Sequence, residues 1–314
     1  MRNVLVAGGA GFIGSHLCDA LLARGDRVFC LDDLSRGTLD NLESAFKSSN
    51  FFFEQMDVGN ARSLEPLMRD KGVDYVFHLA ANSDIQASAK NPRIEFSATL
   101  STTWSILLAM RNVGVKKLFF ASTSAVYGEQ GDKASREDDA PAPISYYGAA
   151  KASSEATIRA FCRMNEIDAC VFRFANVIGP RLTHGVIYDF VNKLTADPTT
   201  LKVLGDGSQT KPYVYVDDLI RAIIMSHDRV KGMDVYNVGV ETSSSVSFIA
   251  ELVREEMNAS QARIEYGTEK IGWKGDVPRF RFDLSKIHAT GWRAERTSDE
   301  AVRQTVKEVL RCKR

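Results

Sequence analysis

Tyr147 and Lys151 stand four residues apart in Tyr147-Gly148-Ala149-Ala150-Lys151, so on a helix a phenol and an ammonium share one face. A phenol titrates near pH ~10 and is a poor base at neutrality, but a nearby cation favours its phenolate. Such a pair can take a proton from a hydroxyl while hydride leaves the same carbon. By itself the spacing is common among surface residues. Its company gives it meaning: upstream lies the hydroxyl run Ser122-Thr123-Ser124, leading into Ala125-Val126-Tyr127-Gly128.

A departing hydride needs an acceptor, and the N-terminal region has a place for one. Gly8-Gly9-Ala10-Gly11-Phe12-Ile13-Gly14 lies between a continuous apolar run at 4–7 and helical spacing from 13 to 22. At such a strand-to-helix turn, Gly8, Gly11, Phe12 and Ile13 bring backbone up to a pyrophosphate at the helix N-terminus, and Gly14 permits close helix–strand packing. The second strand pattern ends in Asp32-Asp33, where a carboxylate accepts hydrogen bonds from the adenosine ribose and repels the extra phosphate of NADP. The expected cofactor is therefore NAD. Asp57 and Val58, closing the third strand pattern, are placed to flank adenine. Leu79, Ala80 and Ala81, closing the fourth, lie where the cofactor backbone passes. His78, just before them, reads equally well as part of that site or as a core histidine.

These residues need a scaffold, and the periodicity supplies one. Strand patterns at 27–31, 51–55, 74–79, 117–121 and 169–174 alternate with helical ones at 61–70, 92–112 and 146–165. That alternation predicts an α/β chain: a Rossmann, doubly wound parallel sheet over residues 1–180. After Gly179-Pro180 the elements shorten, which predicts a smaller C-terminal α/β substrate lobe over 181–314, with part of 210–245 packing back on the first domain. A cleft between the two is the expected place for chemistry.

Composition narrows the partners. The chain has 314 residues, 44% hydrophobic and 25% charged, with 40 basic and 40 acidic side chains. Neither nucleic acid nor an anionic membrane is favoured by that balance. Five cysteines without CxxC spacing argue against a disulfide framework or a metal site. No apolar run approaches the ~18 residues of a membrane helix, and no leader precedes the first strand, so a cytoplasmic location is expected.

Taken together, the chain resembles the extended short-chain dehydrogenase/reductase family, and within it the nucleotide-sugar epimerases and dehydratases. The resemblance rests on the Gly8 to Gly14 turn, Asp32, Asp57-Val58, His78 to Ala81, the hydroxyl run, Tyr147 to Lys151, Arg173 to Arg181, and Val216-Asp217-Asp218. It implies NAD as cofactor, Tyr147 as base with Lys151 beside it, both touching the cofactor, and Thr123 as the hydroxyl that binds the reacting group. Dehydratases of the family carry Asp-Glu in the next two places and similar decarboxylases keep the Glu; here these are Ser124 and Ala125. The resemblance thus implies a nucleotide-sugar 4-epimerase of the UDP-glucose/UDP-galactose type, which oxidises C4 and returns hydride to the opposite face. A 4-keto reductase, or an epimerase at another carbon such as C2, would use the same tyrosine and lysine.

The family's contacts to a nucleotide-diphosphate sugar fall on Ser124, Asn176 and Lys211, the last standing where the family has arginine. A second family arginine is here Trp273, with Lys274 beside it. Phe280, four after Asp276, is the bulky residue expected to narrow the pocket beside the sugar C2 substituent. Helices at 91–112 and 145–165 match those by which relatives form homodimers through a four-helix bundle. Ile94, Ala98, Ser101, Ser105 and Leu108 run down the first, and an ordinary core stripe is the other reading.

Overall fold

The computed structural model describes residues 1–272 and 275–312. Seven strands make the main sheet: β1 (Asn3–Ala7), β2 (Arg27–Asp32), β3 (Phe51–Gln55), β4 (Tyr75–His78), β5 (Lys117–Thr123), β6 (Asp168–Phe174) and β7 (Met233–Val238), in the order 7-6-5-4-1-2-3. β1 pairs in parallel with β2 and with β4, so Val4 faces Val28 on one side and Tyr75 on the other. Val4, Leu5 and Val6 are wholly buried, as expected of a parallel strand covered on both faces. From β1 the chain builds outward to β3, then returns to β4 on the other side of β1. That reversal leaves a crevice at the carboxyl ends of β1 and β4, where doubly wound sheets bind ligands.

Three helices matter for the site: α1 (Phe12–Ala23), α2 (Thr102–Val113) and α3 (Tyr146–Asn165). Each buries a stripe at helical spacing, such as Leu17, Cys18 and Leu21 on α1 and Ile158, Phe161 and Cys162 on α3. The continuous helix expected over 92–112 is instead interrupted. A short helix Arg93–Glu95 runs into a π-helical turn, Phe96–Ser101, before α2 begins. Hydroxyls explain the widening: Ser97 Oγ donates to the Arg93 carbonyl and Thr102 Oγ1 to the Ser97 carbonyl, competing with the regular ladder.

The chain forms two compact units. The first comprises Met1–Gly128, Ala140–Arg173 and Ile220–Tyr236; the second, Glu129–Asp139, Phe174–Leu219 and Asn237–Arg314. The chain thus passes between units several times, whereas sequence periodicity suggests one boundary at 180 and a returning stretch within 210–245. The second unit holds short strand pairs, among them Asn176–Ile178 with Tyr213–Tyr215 and Thr200–Val203 with Arg263–Tyr266, and helices including Val186–Ala196, Val246–Glu256 and Ser298–Cys312. Among the described residues no helix is long and apolar enough to cross a membrane.

Candidate functional site

The residues expected to carry proton transfer gather at the carboxyl end of β5. β5 ends on Thr123, whose hydroxyl accepts the Ala125 N–H and starts the 3₁₀ turn Ser124–Val126. α3 opens on Ser145, whose Oγ accepts the Gly148 N–H at 3.1 Å, placing Tyr147 and Lys151 on the first two turns. Gly148 is what lets these two segments meet: a Cβ there would sit 2.4 Å from the Ala125 carbonyl oxygen. The approach brings the Thr123 hydroxyl into a hydrogen bond with the Tyr147 phenol. Sequence spacing singled out Tyr147 but not Gly148, although a glycine inside a helical pattern marks a close approach.

Burial dominates the electrostatics of the pair. It pushes the Tyr147 phenol up to about 12, against the hydrogen bond from Thr123, which lowers it; the Glu95 carboxylate adds to the rise. The phenolate expected from a neighbouring ammonium is therefore not the resting form of the chain by itself, because burial of the phenol prevails. Lys151 is fully buried, donates to the Ala121 carbonyl at 2.6 Å and lies 4.7 Å from the centroid of Phe120. Desolvation lowers it to about 8, while Glu95 and Glu155 pull it back up.

Behind the pair is a buried brace in which sequence reasoning assigned no role to Glu155. Arg173 Nη2 donates to Glu155 Oε2 at 2.7 Å and Nη1 to the Tyr127 hydroxyl at 2.7 Å, with the guanidinium over the Tyr127 ring. Ser122 Oγ donates to the other Glu155 oxygen. The available signal was periodicity: Glu155 is one further turn along the face of Tyr147 and Lys151.

The glycine turn fits a dinucleotide. Gly8 has φ +80°, and a Cβ there would lie 2.6 Å from the Ala80 nitrogen; at Gly14 it would lie 2.1 Å from the Gly8 carbonyl oxygen. Those two glycines answer to the protein's own packing. Gly11 differs, since a Cβ there would meet only the Gly8 oxygen, at 3.4 Å, leaving the space above it open. Gly11 also begins α1 without a side-chain cap, so the N–H groups of Phe12, Ile13 and Gly14 form the uncapped end of a 12-residue helix. Open backbone at a helix N-terminus is the shape and charge a pyrophosphate requires.

Around this cradle, Asp32 accepts the Ala10 N–H at 3.0 Å and the Leu34 N–H at 2.9 Å, tying the turn to the end of β2. Burial raises its pKa and these N–H groups counter the rise. Asp33 is exposed and accepts from Ser35. Asp57 accepts the Gly59 N–H, and Val58 is buried beside it. Leu79 and Ala80 pass against Gly8, with Ala81 following. His78 is a core histidine: its Nε2 faces the Thr103 hydroxyl at 3.0 Å, and burial holds it well below the usual imidazole range.

In the second unit, Asn176 opens the strand Asn176–Ile178, half-buried. The Lys211 ammonium is paired with the Asp276 carboxylate, and Phe280 packs in a buried cluster with Ala175, Val214 and Val240. Ser124 sits half-buried in the 3₁₀ turn of the first unit. Lys274 lies outside the described residues.

The model of the NAD dependent epimerase/dehydratase family matches residues 4–239. The chain is 33% identical over 310 residues to a UDP-glucose 4-epimerase of Mycolicibacterium smegmatis, covering 97% of each chain. It is 31% identical to a UDP-glucose 4-epimerase of Thermotoga maritima crystallised with UDP-glucose, with a TM-score of 0.90 over 100% of both chains. A Thermus thermophilus UDP-glucose 4-epimerase in complex with NAD is likewise 31% identical, with a TM-score of 0.88 over 98% of this chain and 99% of that one. The open glycine cradle, the Thr123–Tyr147–Lys151 arrangement and these likenesses agree: the chain belongs to the NAD-dependent epimerase/dehydratase family.

Proposed function

We propose that this enzyme is a nucleotide-sugar 4-epimerase of the UDP-glucose/UDP-galactose type. The observation that carries the reading is the end of β5: the Thr123 hydroxyl is hydrogen-bonded to the Tyr147 phenol, and the next two residues, Ser124 and Ala125, offer no carboxylate to expel water or carry a second proton. Proton transfer is confined to one phenol. Thr123 and Tyr147 hold the sugar 4-hydroxyl, and Tyr147 removes its proton as C4 is oxidised to the ketone. Lys151 supplies the positive charge that the phenolate needs. Bound NAD supplies a reversible acceptor for the C4 hydride. Rotation of the keto-sugar exposes its other face, and Tyr147 returns the proton when the new C4–H bond forms.

Asn176, Lys211 and Lys274 are proposed to hold the diphosphate, with lysines giving charge without the bidentate fork of arginine. Phe280 supports discrimination at C2, so UDP-N-acetylglucosamine is expected to turn over more slowly than UDP-glucose. Equal rates would remove that part of the reading. We also propose a homodimer through 93–113 and 146–165, supported by Phe96, Trp104 and Met164, which are 66%, 45% and 82% exposed there. Light scattering should give twice the chain mass; a monomer would end the dimer proposal.

The decisive experiment is incubation with a panel of nucleotide sugars without added nicotinamide cofactor, with products identified by NMR. Interconversion of C4 epimers is expected, and Tyr147→Phe should lower it by roughly 10²–10⁴-fold. Stoichiometric consumption of a reduced nicotinamide with a keto-sugar would show a reductase instead, and full activity in Tyr147→Phe would overturn the proton route.

A further inference from the structure

The loops that follow β2 and β4 are tied together across the crevice. In the sheet β1 lies between β2 and β4, so a contact between those loops spans the carboxyl end of β1, where the glycine turn begins. One side chain makes that span. Arg36 Nη2, in the loop after β2, donates to Asp84 Oδ2 at 3.1 Å and to Asn82 Oδ1 at 3.4 Å, both in the loop after β4.

Both ends of the bridge are anchored. On the β2 side, the Thr38 N–H and Asn41 Nδ2 donate to the Ala10 carbonyl at 3.2 and 2.9 Å, and a Cβ at Gly37 would lie 2.8 Å from the Ala10 carbonyl carbon. On the β4 side, Asp84 Oδ1 accepts the Ala87 N–H at 2.8 Å, so its Oδ2 is the oxygen that meets the arginine. Asn82 Oδ1 accepts the Asp84 N–H, and its Nδ2 donates to the buried Glu95 carboxylate at 2.7 Å. Thr99 Oγ1 donates to the other Glu95 oxygen at 2.8 Å. An exposed ion pair is ordinarily weak, because two long side chains must be ordered to make it. Here the acceptor oxygens are already fixed by the network beneath them, and only the arginine has freedom to lose.

The bridge also holds a strained loop. Leu34, two residues before Arg36, has φ +60°, a left-handed backbone that is costly for leucine, and its N–H is held by Asp32 Oδ1. Such a loop keeps its course only while contacts on both sides of the strain hold it. Asp32 supplies one of them and Arg36 another.

We propose that Arg36, with Asn82 and Asp84, forms a strap across the cofactor crevice that must part for the dinucleotide to enter or leave. The inference rests on dinucleotide binding at the glycine turn and not on which sugar carbon reacts.

The test is the rate of cofactor exchange. Full-length protein is loaded with NADH and chased with excess NAD, and release is followed by the loss of bound-NADH fluorescence. Arg36→Met removes the strap and should speed release roughly tenfold, the equivalent of one charge-assisted hydrogen bond. An arginine that held the cofactor's diphosphate directly would give the same result, so Asp84→Asn separates the two cases. It keeps the arginine and a side-chain cap for the helix Ile85–Lys90, but removes the charge that draws the arginine across. With a strap, Asp84→Asn also speeds release, and the double variant is no faster than the faster single one, because both break the same contact. An arginine that serves as a phosphate ligand is instead freed by Asp84→Asn, and slower release in that variant would overturn the proposal, as would release unchanged in it. Asp84→Asn decides the matter by itself if Arg36→Met does not fold. The readout is cofactor release and not turnover, so failure of the 4-epimerase reading is distinguishable from failure of this one.

Discussion

Two acid–cation pairs, one in each unit, are built to opposite ends. Glu155 and Arg173 in the first unit are both buried, and the arginine spends Nε and Nη2 on the carboxylate and Nη1 on Tyr127, while Ser122 takes up a carboxylate oxygen. Lys211 and Asp276 in the second unit make a single contact, with the lysine side chain 21% exposed and the aspartate 7%. A guanidinium with its fork filled cannot exchange partners without leaving buried groups unsatisfied, whereas an ammonium at the surface can turn another donor to a new anion. The first pair is scaffold for the helix that carries Tyr147 and Lys151. The second is suited to trading Asp276 for a phosphate.

The sharpest way to break this comparison is Arg173→Met. It leaves Glu155 buried and unpaired, and should cost about 3–5 kcal/mol of stability in thermal or denaturant unfolding. The double change Arg173→Met with Glu155→Leu should recover most of that loss, since a matched apolar replacement strands no charge. If the single variant unfolds like the parent protein, the brace is not structural.

Next in size is the response to pH. Lys151 is lowered to about 8 by desolvation, and the phenolate depends on its positive form. Ammonium is lost as pH rises through that value, so in the NAD-loaded enzyme, where the cofactor's positive nicotinamide joins Lys151 in favouring the Tyr147 phenolate, kcat/KM should fall about tenfold per unit on the alkaline side. A profile flat to pH ~10, the ordinary lysine range, would mean that Lys151 does not serve the proton transfer.

Lys211→Met should act differently in kind. Loss of a diphosphate contact made equally in ground and transition states raises KM by roughly tenfold with kcat little changed. Unfolding midpoints should fall by less than in Arg173→Met, because the lysine side chain is 21% exposed, although Asp276 at 7% loses its ion-pair partner. A fall in kcat at constant KM would place Lys211 with the scaffold and erase the contrast between the pairs.

The contrast also separates what could be read in the residues from what could not. The glycine turn, Asp32 and the Tyr147–Lys151 spacing could be read from residue type at short spacing on regular elements, Thr123 only through the family resemblance, and strands such as 51–55 and helices such as 61–70 announce themselves by period. Glu155 shares that regular spacing, yet its role depends on Arg173, 18 residues away and on another element. Glu95 was invisible for a stronger reason. It ends the short helix before the π-turn and is buried while the adjacent Phe96 is exposed, the reverse of what hydrophobic patterning predicts. The shorter elements of the second unit carry too few repeats for periodicity to specify their partners, as with Thr210–Lys211 against Ser244–Ser245.

The smallest expected effect tests whether the scaffold in the first unit is rigid as far as its edge. Ser145 caps α3 through its Oγ to the Gly148 N–H, and Tyr147 is the second residue of that helix, whereas the buried contacts begin with Lys151 on the Ala121 carbonyl and continue with Glu155 on Arg173. Ser145→Ala removes the cap and should cost about 1 kcal/mol. If the deep brace governs the whole helix, the loss appears in unfolding alone and kcat is unchanged. If the first turn depends on its cap, fraying carries the phenol away from Thr123, and kcat falls several-fold while KM for the nucleotide sugar holds, since the proposed diphosphate contacts at Asn176 and Lys211 are not on that helix. We expect the second result: the Thr123 hydrogen bond is made on the turn that the cap organises, one turn before the buried network begins.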